Sequence, residues 1–353
     1  KKLNMSLKNL SVKIKIPKIL KKKLNNKKIN QIFKKFEGSL VLDKSYAVAV
    51  SGGPDSLALA FLAKIYSIKK NLTARFFIVD HKLRKESTIE AKRVKQILKN
   101  YSIKAEILTW HGKKPSKNIQ SEARKKRYNL LFERCRKLKI NHILLGHHSD
   151  DLLENFFIRM IRGSGLKGLI SLDTKSKVNN INLLRPLLNQ KKENLVFLSK
   201  YVFNFYVDDP SNEDEKYQRV RIRNLIKEFQ KDGFDKSKLL ITIRNLKYSN
   251  EVVTFYVADN IKRNTHYFKK ENKLILNNNF FNHSHEVVFR ALGESLKKVG
   301  KRYYLARGKK LDKIISYIKN DSFFKITLGG CIIERVNQSV IITKEHKNVT
   351  SYG

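Results

Sequence analysis

The sequence predicts an α/β protein: an open parallel sheet covered by helices on both faces, followed by a smaller basic α+β domain. Three observations lead there. Between residues 40 and 161, short apolar runs alternate with helical stretches, the order expected of parallel strands joined by crossover helices. Polar clusters recur just past three of those runs, at Ser51, His81 and His147, where an open α/β sheet binds its ligands. Beyond about residue 216 the alternation gives way to strongly basic helical stretches and a closing set of alternating strands. A chain of 353 residues is also longer than one compact core usually accounts for, so more than one domain is expected.

Residues 1–30 read as a basic N-terminal extension with no clear helix pattern, either a solvated tail or an arm for RNA or targeting. Domain 31–215 then runs in order. A helix in "INQIFKKFEGSL" precedes the strand "YAVAVS". A Gly turn leads to the helix "DSLALAFLAKIYSI", whose apolar residues include Leu57, Leu59, Ala60, Phe61, Leu62 and Ile65. The strand "TARFFIVDH", a charged helix from Thr88 to Asn100 and the strand "KAEILTW" follow. A long helix from Ile119 to Leu138 leads to a fourth strand, "HILLGHH", which runs into the helix "DDLLENFFIRMI". Residues 216–247 read as a basic helical linker and 248–353 as a C-terminal domain, with helices within 286–320 and strands in "FFKITLGGCIIERVNQSVIITKE". There is no fixed-period repeat.

Composition narrows the function. Hydrophobic residues make up 41% and aromatics 10%, enough for real cores, so a wholly disordered chain is excluded. The two cysteines, Cys135 and Cys331, are too few and too distant in sequence for a disulfide scaffold, a zinc ribbon or an iron–sulfur site. No apolar run is long enough to cross a membrane, which points to a reducing, soluble compartment. Against 31 acids stand 75 Lys and Arg, a net charge of +44, or about one excess positive charge per eight residues. AT-rich codons would inflate Lys, Asn and Ile, but they would supply Asp and Glu as well, and acids are scarce. A nucleic acid partner is the better reading.

The string "VAVSGGPDSLALA" is the most informative. Ser51, Gly52, Gly53 and Pro54 lie where a strand hands over to a helix, and glycines there let backbone N–H groups approach a polyphosphate that the helix N-terminus also favours. Ser56 adds a hydroxyl. Asp55 places a carboxylate where a magnesium ion bridging phosphates would sit. An ordinary Gly turn is the competing reading, and no Gly-Lys-Ser/Thr follows as a Walker loop requires.

"SGGPDS" resembles the phosphate-binding loop of the N-type ATP pyrophosphatases, the PP-loop enzymes, which cleave ATP between the α and β phosphates to adenylate a substrate. Further strings are similar to those of one branch, the tRNA(Ile)-lysidine synthetases: "VDHKLRKES", "NIQSEARKKRYNLL", "GHHSDDLLENFFIRMIRGSGLKGL", "RPLL" and "DPSNEDEKYQRVRIR". The resemblance covers about residues 40–225. It implies a Rossmann-like parallel-sheet PP-loop ATPase domain of the adenine nucleotide alpha hydrolase type. It also implies ligation of L-lysine to the 2-position of the cytidine at the first anticodon position of a minor isoleucine tRNA, with ATP and magnesium, in the cytoplasm or an organelle. Beyond residue 225 the likeness holds in outline, and a second C-terminal domain of longer members is expected to be absent or reduced. A PP-loop tRNA thiolase and a non-catalytic basic RNA-binding protein are the alternatives.

That chemistry assigns expected roles. ATP contacts fall to Ser51, Gly52, Gly53, Pro54, Asp55, Ser56, His81 and Arg84, with Asp55 also the metal ligand. Catalysis falls to Asp55, Asp151, Glu154 and Arg219, because charge growing on phosphate oxygens needs cations and the lysine amine must lose a proton. Asp151 and Glu154, three apart, share a helix face. His147, His148, Asp150, Arg162 and Gly163 are expected against lysine or the adenylate, although Ser149, Asp150 and Asp151 also suit a helix cap and Gly163 a helix end. Adjacent histidines in a strand point to opposite faces, which disfavours a zinc site. Arg221, Arg223, Lys301, Arg302 and Arg307 are expected to grip tRNA phosphates, with Tyr303 and Tyr304 available for stacking; a solvated charged face is the plain alternative.

Overall fold

The computed structural model describes residues 16–84, 86–112, 119–301, 308–320 and 325–345. The chain divides between residues 243 and 244 into two compact units.

The first unit is built on a six-stranded sheet of order β3-β2-β1-β4-β6-β5: β1 (Tyr46–Val50), β2 (Ala74–Asp80), β3 (Ala105–Thr109), β4 (His142–Leu144), β5 (Lys175–Val178) and β6 (Ile181–Leu184). All pairings are parallel except β5 with β6, an antiparallel hairpin at one edge. Strand residues alternate between two cores, as the pleat requires. Val48, Val50, Phe76 and Ile78 face one core; Ala47, Phe77 and Ile143 face the other.

Helices α1 (Lys18–Leu24), α2 (Lys27–Gly38), α3 (Pro54–Lys69), α4 (Ser87–Asn100) and α8 (Lys192–Phe203) contribute to the first core. Helix α5 (Ile119–Lys137) covers the second through Leu131, Phe132 and Cys135. The central α3 is buried almost all round, which explains its near-continuous apolar sequence. Helices α6 (Ser149–Ile161), α7 (Leu166–Leu169) and α9 (Gln218–Lys231) complete the unit.

Two sequence expectations about organisation are corrected. Residues 18–30 are not an extension: Leu20 and Ile29 are fully buried, and Ile29, Ile32, Phe33 and Phe36 form an i, i+3, i+4, i+7 stripe on α2. Asn26 caps α2 by accepting from the N–H groups of Lys28 (3.0 Å) and Ile29 (3.2 Å). The stripe itself falls in the stretch read as a helix; the lysines around Leu20 and before Ile29 obscure α1 and the start of α2. The expected "SVKIKI" portion of the arm lies outside the described residues, apart from its last isoleucine. Nor does the stretch read as a basic helical linker, 216–247, stand apart from the first unit: α9 packs on α6 and that unit extends to residue 243.

Helix α10 (Lys236–Asn264) crosses the division. The second unit adds α11 (His285–Gly300) and α12 (Gly308–Lys319) to an antiparallel sheet of order β7-β8-β11-β10-β9. Its strands are β7 (Thr265–Phe268), β8 (Lys273–Leu276), β9 (Lys325–Leu328), β10 (Cys331–Val336) and β11 (Ser339–Lys344). Leu274, Leu292, Ile314, Ile333 and Ile342 anchor its own core. This is the smaller α+β domain the sequence suggests. Among the described residues no helix is long and apolar enough to cross a membrane.

Candidate active site

Strand order reverses between β1 and β4, and ligands of open α/β sheets bind outside the carboxyl ends at that point. The loop Ser51–Ser56 leaves β1 there, and Leu145–His148 leaves β4 beside it. Gly52 is buried and has φ +90°, a conformation glycine adopts freely. A Cβ on Gly52 would come within 2.7 Å of Val94 Cγ2 and 2.9 Å of Val207 Cγ2. Gly53 is the N-cap of α3 and Pro54 its first residue, where the missing N–H costs nothing. The first intrahelical bond is Leu57 N–H to Gly53 O at 3.1 Å, so the Asp55 and Ser56 amides belong to the unsatisfied first turn, ready for an anion.

The Ser56 hydroxyl does different work from that expected. It accepts from the N–H groups of Ser51 and Gly52 (3.1 Å each) and donates to Gly53 O (2.9 Å), bracing the loop from inside. The Ser51 hydroxyl joins this brace at 3.2 Å. From outside, Val207 N–H donates to Gly52 O at 2.9 Å and Ser199 Oγ donates to Pro54 O at 2.5 Å. Gly146, which the sequence reading passed over, lets the β4 loop lie against α3: a Cβ there would sit 3.3 Å from Asp55 C and O and from Ser56 N. A lone glycine after a short strand offers no sequence cue to that contact.

The strand "HILLGHH" ends early, at Leu144, so His147 and His148 lie beyond it. His148, rather than Ser149, caps α6. Its Nδ1 accepts from Asp150 N–H at 3.2 Å, and its own N–H donates to Asp151 Oδ2 at 2.9 Å, a reciprocal capping box. The cap fixes the neutral tautomer: the proton sits on Nε2, which lies 3.5 Å from Asp55 Oδ2. Burial disfavours a second proton on His148, but the Asp55 hydrogen bond and the carboxylates of Asp151, Asp55 and Asp150 outweigh it and raise the pKa above its ordinary value. That second proton would have to displace the Nδ1 cap bond.

Around this imidazole stand four acids and their counter-ions. Asp151 Oδ1 is 3.8 Å from Arg219 Nη1, and Asp150 Oδ2 is 3.6 Å from Lys236 Nζ. Glu154 is 3% exposed, and its Oε1 accepts from Arg223 Nε at 2.6 Å. Burial opposes the charge of Asp151, yet His148, the cap N–H and Arg219 hold its carboxyl below the usual carboxylate range. His147 adds little to that balance above about pH 4, because burial and the cations Arg185, Arg124 and Arg219 lower its pKa to about 4. Among the described residues two buried carboxylate oxygens have no hydrogen-bond partner: Asp55 Oδ1 and Glu154 Oε2.

Beyond β2, Asp80 organises the turn that carries His81. Its Oδ1 accepts from Lys82 N–H and Ser87 Oγ (2.9 Å each), and its Oδ2 from Thr88 Oγ1 (2.7 Å). Burial and Arg127 lower the His81 pKa to about 4, and its Nδ1 is buried without a partner. Arg127 on α5, together with Arg124 and with Arg185 after β6, adds a cationic side to this crevice. None of the three was singled out by sequence, although "EARKKRYNLL" and "RPLL" contain them. Burial lowers the pKa of Arg127 and of Arg185, and neighbouring arginines lower both further.

Other residues expected at the site make contacts of their own. Arg84 is paired with Glu90 and Asp209, 3.1 Å each, so it ties the β2 loop to the segment before α9. Arg162 and Gly163 lie at the far end of α6, roughly 20 Å from His148 by helical rise. There Gly163, φ +64°, ends the helix and Arg162 donates to Gln218 Oε1 at 2.7 Å. Because α9 is helical, its arginines diverge: Arg219 and Arg223 face α6, while Arg221 donates to the carbonyls of Glu215 (2.7 Å) and Lys216 (3.0 Å). Lys301 is exposed in the second unit, and Arg302, Arg307, Tyr303 and Tyr304 lie outside the described residues.

Residues 21–229 match the family model of the PP-loop domain. A tRNA(Ile)-lysidine synthase of Orientia tsutsugamushi is 36% identical over 321 residues, covering 87% of this chain and 71% of that protein. The chain belongs to the tRNA(Ile)-lysidine synthase family. The enzyme of that name from Wolbachia pipientis wMel is 33% identical over 317 residues, covering 88% of this chain and 73% of its own. Among solved structures, the U34-tRNA thiolase NcsA of Methanococcus maripaludis, with its [4Fe-4S] cluster, superposes with a TM-score of 0.54 at 17% identity. That match covers 64% of this chain and 79% of the thiolase, and it is a likeness of fold. The loop at Ser51–Ser56 lies within the stretch that matches the PP-loop domain.

Proposed function

We propose that this chain uses ATP to join L-lysine to the 2-position of the cytidine at the first anticodon position of a tRNA(Ile), releasing AMP and pyrophosphate. The observation that carries the reading is the convergence at the switch point. The amide-rich start of α3 lies beside His148 and the carboxylates of Asp55, Asp151 and Glu154, so a phosphate cradle adjoins groups that bind an amine.

In the first step the cytosine 2-oxygen attacks the α-phosphate. A P–O bond forms, the α–β bridging bond breaks, and pyrophosphate leaves. The α3 amides hold phosphate oxygens, while Arg124, Arg127 and Arg219 offset charge on the oxygens of the departing group. Asp55 Oδ1, buried and unpartnered, fits a magnesium ion entering with ATP, since magnesium commonly takes one or two carboxylates plus phosphates. Such an ion would supply electrostatic stabilisation of phosphate charge. In the second step the lysine amine attacks C2, the C2–O bond breaks, and AMP leaves. Glu154 Oε2, the other unpartnered buried oxygen, accepts a hydrogen bond and then a proton from the amine. Asp150 and Asp151 hold positive charge near the entrance.

The rival sulfur-transfer reading needs reactive cysteines. Cys135 and Cys331 are both buried, one in each unit, and burial pushes the Cys135 thiol up to about 12. The basic C-terminal unit is assigned to tRNA binding, with exposed rings of Tyr248, Phe255 and Tyr256 on α10 beside basic residues such as Lys262. The work is placed in the cytoplasm.

The test separates the two steps. Pyrophosphate release should require tRNA but not lysine, and AMP release should require both. AMP release that ignores lysine, or that instead follows a sulfur donor, would overturn the reading.

A further inference from the structure

The face formed by α1 and α2 carries eight lysines between residues 18 and 35, against one acid, Glu37, in the two helices. Glu37 is already paired with Lys69 on α3 at 2.9 Å. The apolar side of this face is spent inside: Leu20, Ile29, Ile32, Phe33 and Phe36 are all in the core. What points outward is mostly positive charge and amide, with Ile19 the one exposed apolar residue of the two helices. Lys28 Nζ is steadied 4.4 Å from the centre of the Phe197 ring on α8, a contact that leaves its hydrogen-bond donors available.

Between α2 and the start of α8 lies a cleft of about 400 Å³, lined by Lys27, Lys28, Lys35, Gln31, Gln190 and Asn194, with Ile32 beneath. The side chains around it end in ammonium and carboxamide groups, while their aliphatic stems and Ile32 line its floor. No carboxylate among the described residues pairs with Lys27, Lys28 or Lys35. A protein partner would expect an apolar centre in the surface it covers, and of the apolar residues of α1 and α2 only Ile19 is exposed.

The position of the cleft links it to the site. The carbonyl of Gln190, which is 3% exposed, accepts from Ser149 N–H at 3.0 Å, between His148 and Asp150. The floor of the cleft is therefore one hydrogen bond from the start of α6. Lys28 stands over Phe197 on α8, and two residues on Ser199 donates to Pro54 O at the start of α3. Lys28 is thereby tied through α8 to the phosphate loop. From Lys27 to Lys35 the rise is roughly 12 Å, about the axial length of three to four base pairs of a duplex.

We propose that the α2–α8 cleft is a phosphate-backbone docking surface for the tRNA strand whose base enters the active site, with Lys27, Lys28 and Lys35 as the contacts. This rests on the lysidine-forming reading above and adds to it a binding surface on the catalytic unit itself. The lysines replace condensed counter-ions on the RNA, which makes their contribution readable from salt dependence.

The experiment measures binding of the full chain to a tRNA(Ile) transcript between about 50 and 200 mM salt, for the wild type, K27Q/K28Q/K35Q and K27R/K28R/K35R. The glutamine variant should lose about 2 to 3 from the magnitude of the slope of log K against log salt, at 0.7–0.9 per phosphate contact. Its affinity should fall about tenfold or more near 0.1 M salt, and the arginine variant should keep the wild-type slope. In turnover, KM for tRNA should rise with kcat held. If the triple variant does not fold, Lys27→Gln and Lys35→Gln singly should each remove just under one from the slope. An unchanged slope in a variant that still binds tRNA overturns the docking surface, as does a wild type that binds no tRNA. A wild type that binds tRNA but makes no lysidine overturns the function above, while the slopes still decide this surface.

Discussion

Replacing Gly52 by alanine tests whether the PP-loop is held in one conformation by its surroundings. The new Cβ meets Val94 Cγ2 at 2.7 Å and Val207 Cγ2 at 2.9 Å, both branched side chains in a packed core. Overpacking of that kind costs about 1–3 kcal/mol, and holding a non-glycine residue at φ +90° costs about 1–3 kcal/mol more. Turning the peptide to relieve the clash would break Gly52 N–H to Ser56 Oγ and Val207 N–H to Gly52 O, so the loop has no free direction in which to relax. The expected loss is about 2–6 kcal/mol, a large share of a typical folding stability. Gly163→Ala is the control: φ is +64°, but no atom lies within 4 Å of its Cβ, so left-handed strain alone remains, about 1–2 kcal/mol. Urea unfolding gives both stabilities, and calorimetric titration with ATP gives the loop's function. Gly52→Ala should be the less stable of the two and should lose ATP affinity, whereas Gly163→Ala should keep it. Wild-type stability and ATP binding in Gly52→Ala would refute the packing argument.

Further outcomes are expected at three positions. Asp55→Asn keeps shape and removes charge, so pyrophosphate release should fall by about two orders of magnitude or more while tRNA affinity is kept; near-normal release would reduce Asp55 to a helix-start residue. Glu154→Gln should raise KM for lysine more than KM for ATP, and Arg223→Met should destabilise the fold by about 3 kcal/mol because a buried carboxylate loses its counter-ion. Equal changes in the two KM values would place Glu154 in the scaffold. His81 and His147 stay neutral in the folded chain down to about pH 4, whereas an unfolded histidine protonates near 6.5, so stability should decline as pH falls from 6.5 to about 4. Urea melts of the wild type and a His81→Asn/His147→Asn variant should differ in that slope, and equal slopes would contradict the assignment.

Much of this arrangement is legible in the sequence because its periodicities are local. Strands β1 to β3 are apolar runs bounded by polar turns, and "SGGPDS" falls where such a run meets a helix, so both the sheet and the loop could be placed. The β5–β6 hairpin escaped because its exposed strand alternates lysine with serine and valine, which reads as polar connection. Helix α1 and the first residues of α2 escaped for a related reason: lysines outnumber the apolar positions there, and only burial reveals Leu20. Roles that depend on distance in space were harder to read. Ser56 braces the loop inwardly, and Arg162 lies a helix length from His148 although only 14 residues separate them. Gly146 matters through the backbone it approaches, and Arg223 meets Glu154 across 69 residues of chain.

The most direct test is the mass of the nucleoside formed. Purified full chain is incubated with tRNA(Ile), ATP, magnesium and isotopically labelled L-lysine; the tRNA is then digested and its nucleosides are weighed. One cytidine per tRNA, at the first anticodon position, should gain the mass of labelled lysine less one water, and Asp55→Asn should abolish the gain. An unmodified cytidine alongside active ATP cleavage, or a mass gain of sulfur at another nucleoside, would contradict the account.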